Sequence, residues 1–177
     1  LDDRVFFTLA LLTGYRRGEL LGLEWPDIDF AAGVITVRRT SQYINGRGVY
    51  TDTPKTASSA RSTKISPALV GLLRQYKVEQ ARTRLGRGGA WAPGWDSAPR
   101  LFTNQDGTPM QPSTPEKRLK GILERAGLPH VSLHSLRHTN ATLLITGGVD
   151  VRTVAARLGH SQTSTTMNIY AEAIRSA

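Results

Sequence analysis

The run H-S-L-R-H at residues 134–138 constrains this fold more than any other stretch of the chain. If the run is helical, His134, Arg137 and His138 lie at positions i, i+3 and i+4, so that one face carries two imidazoles and a guanidinium. Such a face is poor material for an apolar core. The spacing predicts that the helix is anchored instead by an otherwise apolar stripe about a third of a turn away. That stripe consists of Leu136, Asn140, Leu143 and Leu144.

The charge of the chain indicates a polyanionic partner. With 177 residues the chain is long enough for one domain with a real core, and its net charge is +9. Most of this charge lies in residues 34–78, where eight lysines and arginines accompany a single carboxylate, Asp52. Such a concentration favours a surface that faces nucleic-acid phosphates. The residues expected to contact phosphates are Arg38, Arg39, Arg47, Arg61 and Lys64.

Composition excludes several classes of protein. No apolar run is long enough to span a membrane. The absence of cysteine excludes disulfides and cysteine-ligated zinc or iron-sulfur sites. The chain also has no H-E-x-x-H motif and no carboxylate cluster suited to two magnesium ions. We therefore expect a cytoplasmic protein without a metal site.

Two hydrophobic periods divide the chain. A period of 3.6 predicts helices on both sides of Gly14, over 67–85 and 113–126, at the H-S-L-R-H run, and after Asp150. Between them, a period of two predicts strands at 27–30, 34–39, 49–53 and 61–65 in one small antiparallel sheet. The predicted class is α+β, mainly α-helical.

Two local patterns could carry either structure or chemistry. In T-G-Y-R-R-G-E-L, Gly14 permits a sharp turn, so that Arg16 opens a short helix with Glu19 three residues on to orient it. The same pattern also fits a helical corner with a surface ion pair. Lys55 lies in a hairpin loop, where it is either a solubility device or a mobile catalytic group.

The C-terminal stretch also allows a second structural interpretation. Taken alone, residues 150–170 resemble a helix-turn-helix with Gly159 in the turn. A non-catalytic DNA-binding module therefore remains an alternative to an enzyme, and Tyr170 would then be a core or groove-facing aromatic residue.

Taken together, five ordered motifs resemble the catalytic domain of the tyrosine recombinases, the phage-integrase family. They are T-G-x-R-x-x-E-L, P-K-T, H-x-L-R-H, L-G-H-S and a tyrosine ten residues beyond the last histidine, and they span residues 13–170. The resemblance implies a DNA breaking-rejoining catalytic domain over residues 1–177, without the N-terminal core-binding domain of relatives. It implies an active site formed by Arg16, Lys55, His134, Arg137, His160 and Tyr170.

The resemblance also implies the partners. The substrate would be double-stranded DNA, and neither a metal nor another cofactor would be needed. We expect a homotetramer on DNA for a full-length protein, a monomer for the present chain, and accessory factors that bend the DNA. Membrane association is not expected.

Phosphoryl chemistry explains these residue types. An attacked phosphodiester gains charge on its non-bridging oxygens, which the always-charged guanidiniums of Arg16 and Arg137 can bind bidentately. His160 would donate a further hydrogen bond to the phosphate. Tyr170 would be the nucleophile, activated by a base for which His134 is the natural candidate. Lys55 is the best-placed acid for the 5′-oxygen leaving group.

The covalent 3′-phosphotyrosine would conserve the energy of the broken bond, so that rejoining needs no ATP. A type IB topoisomerase uses the same chemistry and is the nearest alternative mechanism. Strand exchange between two duplexes distinguishes a recombinase from an enzyme that only relaxes one duplex.

Overall fold

The computed structural model describes residues 2–52, 61–159, 166–167 and 171. Within these ranges the helices are α1 (Asp3–Thr13), α2 (Arg17–Gly22), α3 (Pro67–Arg87), α4 (Ser113–Arg125), α5 (Leu133–Thr146) and α6 (Val151–Leu158). The strands are β1 (Ile28–Asp29), β2 (Val34–Val37), β3 (Thr40–Ile44), β4 (Gly48–Asp52) and β5 (Arg61–Lys64). Short 3₁₀ turns cover Trp25–Asp27 and Gly88–Ala90. None of these helices combines the length and apolar character that crossing a bilayer requires.

The helices begin where capping residues predict. Asp2, Ser66 and Asp150 accept hydrogen bonds from backbone N–H groups three residues on, which satisfies donors that a helix leaves unpaired. Ser132 caps α5 in the same way, through the N–H of Ser135. The helix predicted at the H-S-L-R-H run is therefore confirmed, and its second residue is His134.

The structure contains two small antiparallel sheets where the sequence predicted one. Strands β1, β2 and β5 form a three-stranded sheet with β2 in the centre, whereas β3 and β4 pair separately as a hairpin. Strand β3 was not predicted. Its residues are mostly exposed beyond Ser41, so it lacks the alternation of apolar and polar residues by which a half-buried strand is recognised.

The apolar residues form two clusters that meet near the turn at Gly14. The larger cluster joins α1, α2, the three-stranded sheet and α3, and Phe6 and Phe102 pack edge to face at its centre with ring centroids 4.9 Å apart. The smaller cluster lies between α5 and α6 and consists of Ala141, Ile145, Val154 and Leu158.

The buried face of α5 differs from the predicted stripe. Leu143 is 59% exposed, while Arg137 is only 4% exposed and lies on the buried side with Asn140 and Ala141. The rest of the predicted stripe is confirmed, because Asn140 is buried and Leu136 and Leu144 pack against the two apolar clusters. The prediction was wrong for Leu143 and for Arg137, whose guanidinium was expected to lie outside the core. Carbonyl oxygens of neighbouring elements accept hydrogen bonds from Arg137, which makes its burial possible.

Gly14 allows α1 to end directly against α5 and α6. Its φ is +65°, and a Cβ at this position would lie 2.4 Å from Cδ2 of Leu158 and 2.8 Å from Oδ1 of Asn140. The Asn140 amide donates to the carbonyl of Leu11 at 2.8 Å, which fastens the last turn of α1 to α5. The chain just before Arg16 is thus fixed by two helices that are distant in sequence.

We expect Gly14→Ala to destabilise the protein. Left-handed backbone strain of about 1–3 kcal/mol adds to overpacking of similar size, so the free energy of unfolding should fall by about 2–6 kcal/mol. Gly71→Ala is the matched control, because Gly71 lies within α3 and a Cβ there would meet no atom within 4 Å. This control should raise the free energy of unfolding by about 0.5–1 kcal/mol. Urea unfolding followed by circular dichroism measures both, and equal stabilities of the two variants would contradict the analysis.

Candidate active site

Three of the six predicted catalytic residues lie in the described part of the chain, and all three line one open cavity. Arg16, His134 and Arg137 surround a space of about 390 Å³, together with Tyr15, Arg17, Gly18, Glu116, Ser132 and Leu133. Arg16 precedes the first turn of α2, while the other two residues lie in the first turns of α5. Lys55, His160 and Tyr170 lie outside the described residues, so their roles stay predictions.

Arg16 is oriented by its own helix and by the end of α6. Its backbone N–H donates to Oε2 of Glu19 at 2.7 Å, and its Nη1 donates to Oε1 of the same carboxylate at 3.0 Å. Its Nη2 donates to the carbonyl of Gly159 at 2.8 Å. About half of the side chain is exposed, so the guanidinium still faces the cavity.

Arg137 is held by two backbone carbonyls. Its Nη1 donates to the oxygen of Gly14 and its Nη2 to the oxygen of Leu158, both at 2.7 Å. Burial, followed by repulsion from Arg16, lowers the pKa of Arg137 to about 10. The side chain therefore remains charged at neutral pH, and two of its five N–H groups are committed to carbonyls.

Arg61 was predicted to contact DNA, but the structure places it in the interior. Its side chain is 7% exposed, and its Nη1 and Nη2 bind the two carboxylate oxygens of Glu19 at 2.9 and 2.8 Å. Its Nε donates to the carbonyl of Arg157 at 2.7 Å. The alternation along β5 carried a signal for this, because residues 61, 63 and 65 share one face and all are buried. A buried, paired guanidinium is not available to phosphates.

Glu19 is the carboxylate shared by Arg16 and Arg61. Burial raises its pKa, but the hydrogen bonds and charge of Arg61, and then the backbone and charge of Arg16, outweigh burial and lower the pKa overall. Glu19 is therefore ionised at neutral pH. The sequence predicted its contact with Arg16 and missed its contact with Arg61, which lies 42 residues away along the chain.

Three guanidiniums cap the C-terminus of α6. Arg61, Arg137 and Arg16 donate to the carbonyls of residues 157, 158 and 159 in that order. The last carbonyls of a helix have no partner within it and carry the negative end of its dipole, so cations bind there favourably. Gly159 ends the helix with a φ of +68°, and His160 is the next residue in the sequence.

The other predicted DNA contacts divide into outward and inward groups. Lys64 and Arg47 are exposed, and the Arg47 guanidinium lies 4.0 Å from the centre of the Tyr50 ring. Arg38 is about half exposed, with Nη1 3.5 Å from Asp27. Arg39 is mostly buried and pairs with Glu24 and Asp27 at 2.9 and 2.6 Å. Because its guanidinium is paired with carboxylates, Arg39, like Arg61, does not face outward toward phosphates.

His134 lies on the exposed side of α5, against His138. The two imidazole rings meet edge to face, with centroids 4.6 Å apart. Partial burial, followed by the positive potential of His138, Arg137 and Arg16, lowers the pKa of His134. At neutral pH its ring is therefore uncharged and keeps a lone pair that can accept a proton.

A comparison with known sequences identifies the family. A model of the phage integrase family matches residues 1–176. The chain is 36% identical over 179 residues to the XerC-like tyrosine recombinase of Caldanaerobacter subterraneus subsp. tengcongensis, covering 97% of this chain and 46% of that protein. It is 34% identical over 167 residues to the ICEBs1 integrase of Bacillus subtilis strain 168, covering 94% and 44%. The chain belongs to the phage integrase family, and it spans about half the length of these two relatives.

Solved structures agree with this assignment. The Tn1549 transposon integrase in complex with transposon right end DNA superposes with a TM-score of 0.77 at 26% identity, over 98% of this chain and 56% of that one. The XerA recombinase gives a TM-score of 0.71 at 25% identity, over 99% and 57%. The predicted class, α+β and mainly helical, is confirmed.

The position of His134 among positive groups predicts its titration. We expect a pKa below the ordinary value of about 6.5, so the ring stays neutral to lower pH than a free histidine. His138→Gln removes one of the neighbouring groups that disfavour protonation and should move the pKa of His134 upward. The negative charge of Glu116, which also lines the cavity, is the same in the wild type and in this variant, so it does not contribute to the difference between the two pKa values. A chemical-shift titration of the histidine ring protons measures both values, and a downward shift in the variant would contradict this account.

Proposed function

We propose that this chain is the catalytic domain of a site-specific tyrosine recombinase, which cleaves and rejoins double-stranded DNA through a 3′-phosphotyrosine. The observation that carries the proposal is the convergence of Arg16, Arg137 and His134 on one open cavity. Two fixed guanidiniums are suited to a phosphodiester, and a neutral imidazole beside them is suited to accept a proton.

The proposed reaction assigns one task to each residue. Arg16 and Arg137 bind the non-bridging oxygens of the scissile phosphate through the N–H groups that do not already donate to protein acceptors. His134 accepts the phenolic proton of Tyr170 as the phenolic oxygen attacks phosphorus. The 5′-oxygen departs with a proton from Lys55, and His160 donates a further hydrogen bond to the phosphate. The reverse attack by a 5′-hydroxyl rejoins the strand and releases the tyrosine.

Double-stranded DNA is the proposed partner. The Tn1549 integrase and XerH structures that resemble this chain were solved with DNA, which supports the proposal. The outward cations Arg38, Arg47 and Lys64 are the proposed phosphate contacts outside the active site. A tetramer on DNA, a monomeric state of the isolated chain, bending factors and a cytoplasmic location remain predictions.

Tyr170→Phe tests the covalent step. On a nicked suicide substrate the cleaved 5′ fragment diffuses away, so wild-type protein should accumulate covalently bound to DNA. The variant lacks only the phenolic oxygen and should bind DNA equally well without forming the adduct, as gel electrophoresis under denaturing conditions would reveal. An adduct mapped to Tyr15 or Tyr76 would refute the assignment. Wild-type protein that forms no adduct would favour a non-catalytic DNA-binding module, and relaxation without strand exchange would favour a topoisomerase.

Salt dependence tests the proposed DNA surface. Each phosphate contact releases counterions, so Arg38→Ala, Arg47→Ala and Lys64→Ala should each flatten the slope of log affinity against log salt by about 0.9. Arg84→Ala is the control, because Arg84 is partly exposed and pairs with Asp96 at 2.7 Å, closer than the 3.5 Å between Arg38 and Asp27. This control should keep the wild-type slope. Fluorescence anisotropy with labelled duplex DNA gives the slopes. If all four variants keep the wild-type slope, the phosphates are bound elsewhere.

A further inference from the structure

The two oxygens of Glu19 are each shared between two arginines. Oε1 accepts from Nη1 of Arg16 at 3.0 Å and from Nη1 of Arg61 at 2.9 Å. Oε2 accepts from the backbone N–H of Arg16 at 2.7 Å and from Nη2 of Arg61 at 2.8 Å. The Glu19 side chain is only 8% exposed, so these bonds form in a site with little competing water. The carboxylate orientation that Arg16 requires is therefore the orientation that the planar fork of Arg61 imposes.

Arg61 also fastens the end of α6. Its Nε donates to the carbonyl of Arg157, and a Cβ on Gly159 would lie only 2.8 Å from its Nη1. Arg16 donates to the carbonyl of Gly159 itself. One buried guanidinium thus connects the N-terminus of α2 with the backbone three residues before His160.

Arg16 requires such a support because its surroundings are positive. Arg137 lines the same cavity and repels it, Arg61 binds the same carboxylate, and about half of the Arg16 side chain is exposed. A long arginine side chain has many rotamers, and only a fixed partner selects one before the phosphate arrives. Glu19 supplies that partner, and the two parallel hydrogen bonds from Arg61 fix the plane of its carboxylate independently of Arg16.

We propose that Arg61 is a positioning residue of the recombinase: it orients Arg16 through Glu19, fixes the chain before His160, and makes no contact with DNA. This inference rests on the proposed function. It assigns Arg61 a role that differs from the phosphate contact expected from its position in the basic strand.

Arg61→Lys is the variant that tests the proposal. It keeps the charge opposite Glu19, which avoids an unpaired buried carboxylate, but an ammonium cannot bind both carboxylate oxygens in the planar fork geometry and also reach the Arg157 carbonyl. We expect covalent adduct formation in a single turnover to slow by about 100-fold, the effect of a displacement of about 1 Å at a reacting group. DNA affinity and its salt slope should match those of the wild type. Arg84→Lys, which alters an ion-paired arginine outside the site, should react at the wild-type rate.

Methylphosphonate substrates separate positioning from general damage. Replacing one non-bridging oxygen of the scissile phosphate with a methyl group removes the negative charge of the phosphate. It also removes the oxygen that accepts hydrogen bonds from one of the two arginines. If Arg61 acts through Arg16, the defect of Arg61→Lys should shrink on the same methylphosphonate diastereomer that reduces the defect of Arg16→Ala. Glu19→Gln keeps the shape of the carboxylate side chain and should give the same pattern, which provides a second test should the lysine variant fold poorly.

Three results would overturn the inference. The first is a wild-type rate for Arg61→Lys. The second is a defect of equal size on the phosphodiester and on both methylphosphonate diastereomers, in Arg61→Lys and in Glu19→Gln. The third is a salt slope flattened by about 0.9 in Arg61→Gln, which unlike the lysine variant removes the charge and would show that Arg61 contacts a phosphate. These outcomes all require wild-type protein that forms the adduct. Failure of the wild type would instead refute the proposed function, so the two failures are distinguishable.

Discussion

The arrangement of the site depends on the capping of helix α6 by three arginines. The final carbonyls of the helix and the single carboxylate of Glu19 are the acceptors on which Arg16, Arg61 and Arg137 converge. These arginines come from three parts of the chain: the turn after α1, strand β5 and helix α5. Their shared acceptors fix those parts relative to one another and relative to the residue before His160.

This arrangement leaves an excess of positive charge. Three guanidiniums surround one carboxylate and the partial negative charge of a helix end, which amounts to about half an elementary charge. The lowered pKa of Arg137 reflects both its burial and the repulsion from its neighbours. A bound phosphodiester would relieve that repulsion. The site is therefore organised for an anion before one arrives, which is the condition under which electrostatic stabilisation of a transition state is most effective.

Burying ionic groups in this way contributes geometry more than stability. The desolvation of a buried ion pair commonly offsets its attraction, so the Glu19–Arg61 pair is weak evidence for a stable fold. Its directional bonds nevertheless select one arrangement of α2, β5 and α6. Close packing at Gly14, where the side chains of Leu158 and Asn140 approach the turn, supports the same arrangement from the other side.

Local features of the fold could be read from the sequence because they depend on residues close together along the chain. Apolar periodicity located the helices, and the three-residue spacing of Arg16 and Glu19 predicted their ion pair. The ordered motifs indicated the family. Strand β3 was missed because its exposed residues lack a periodic signal.

The amino-acid sequence by itself determined the family, the helical segments and the types of side chain that the proposed chemistry requires. Only the tertiary structure decided which arginines face the cavity and which support it. Arg61 and Arg39 resemble Lys64 and Arg38 in the sequence. Yet Arg61 is buried and Arg39 mostly buried against carboxylates, while Lys64 and Arg38 are exposed. The physical reason is that the acceptors of the buried arginines are distant carboxylates or backbone carbonyls. Every residue has a backbone carbonyl, so the sequence does not indicate which carbonyl will accept a hydrogen bond from a guanidinium. Only the fold decides which of them lie close enough.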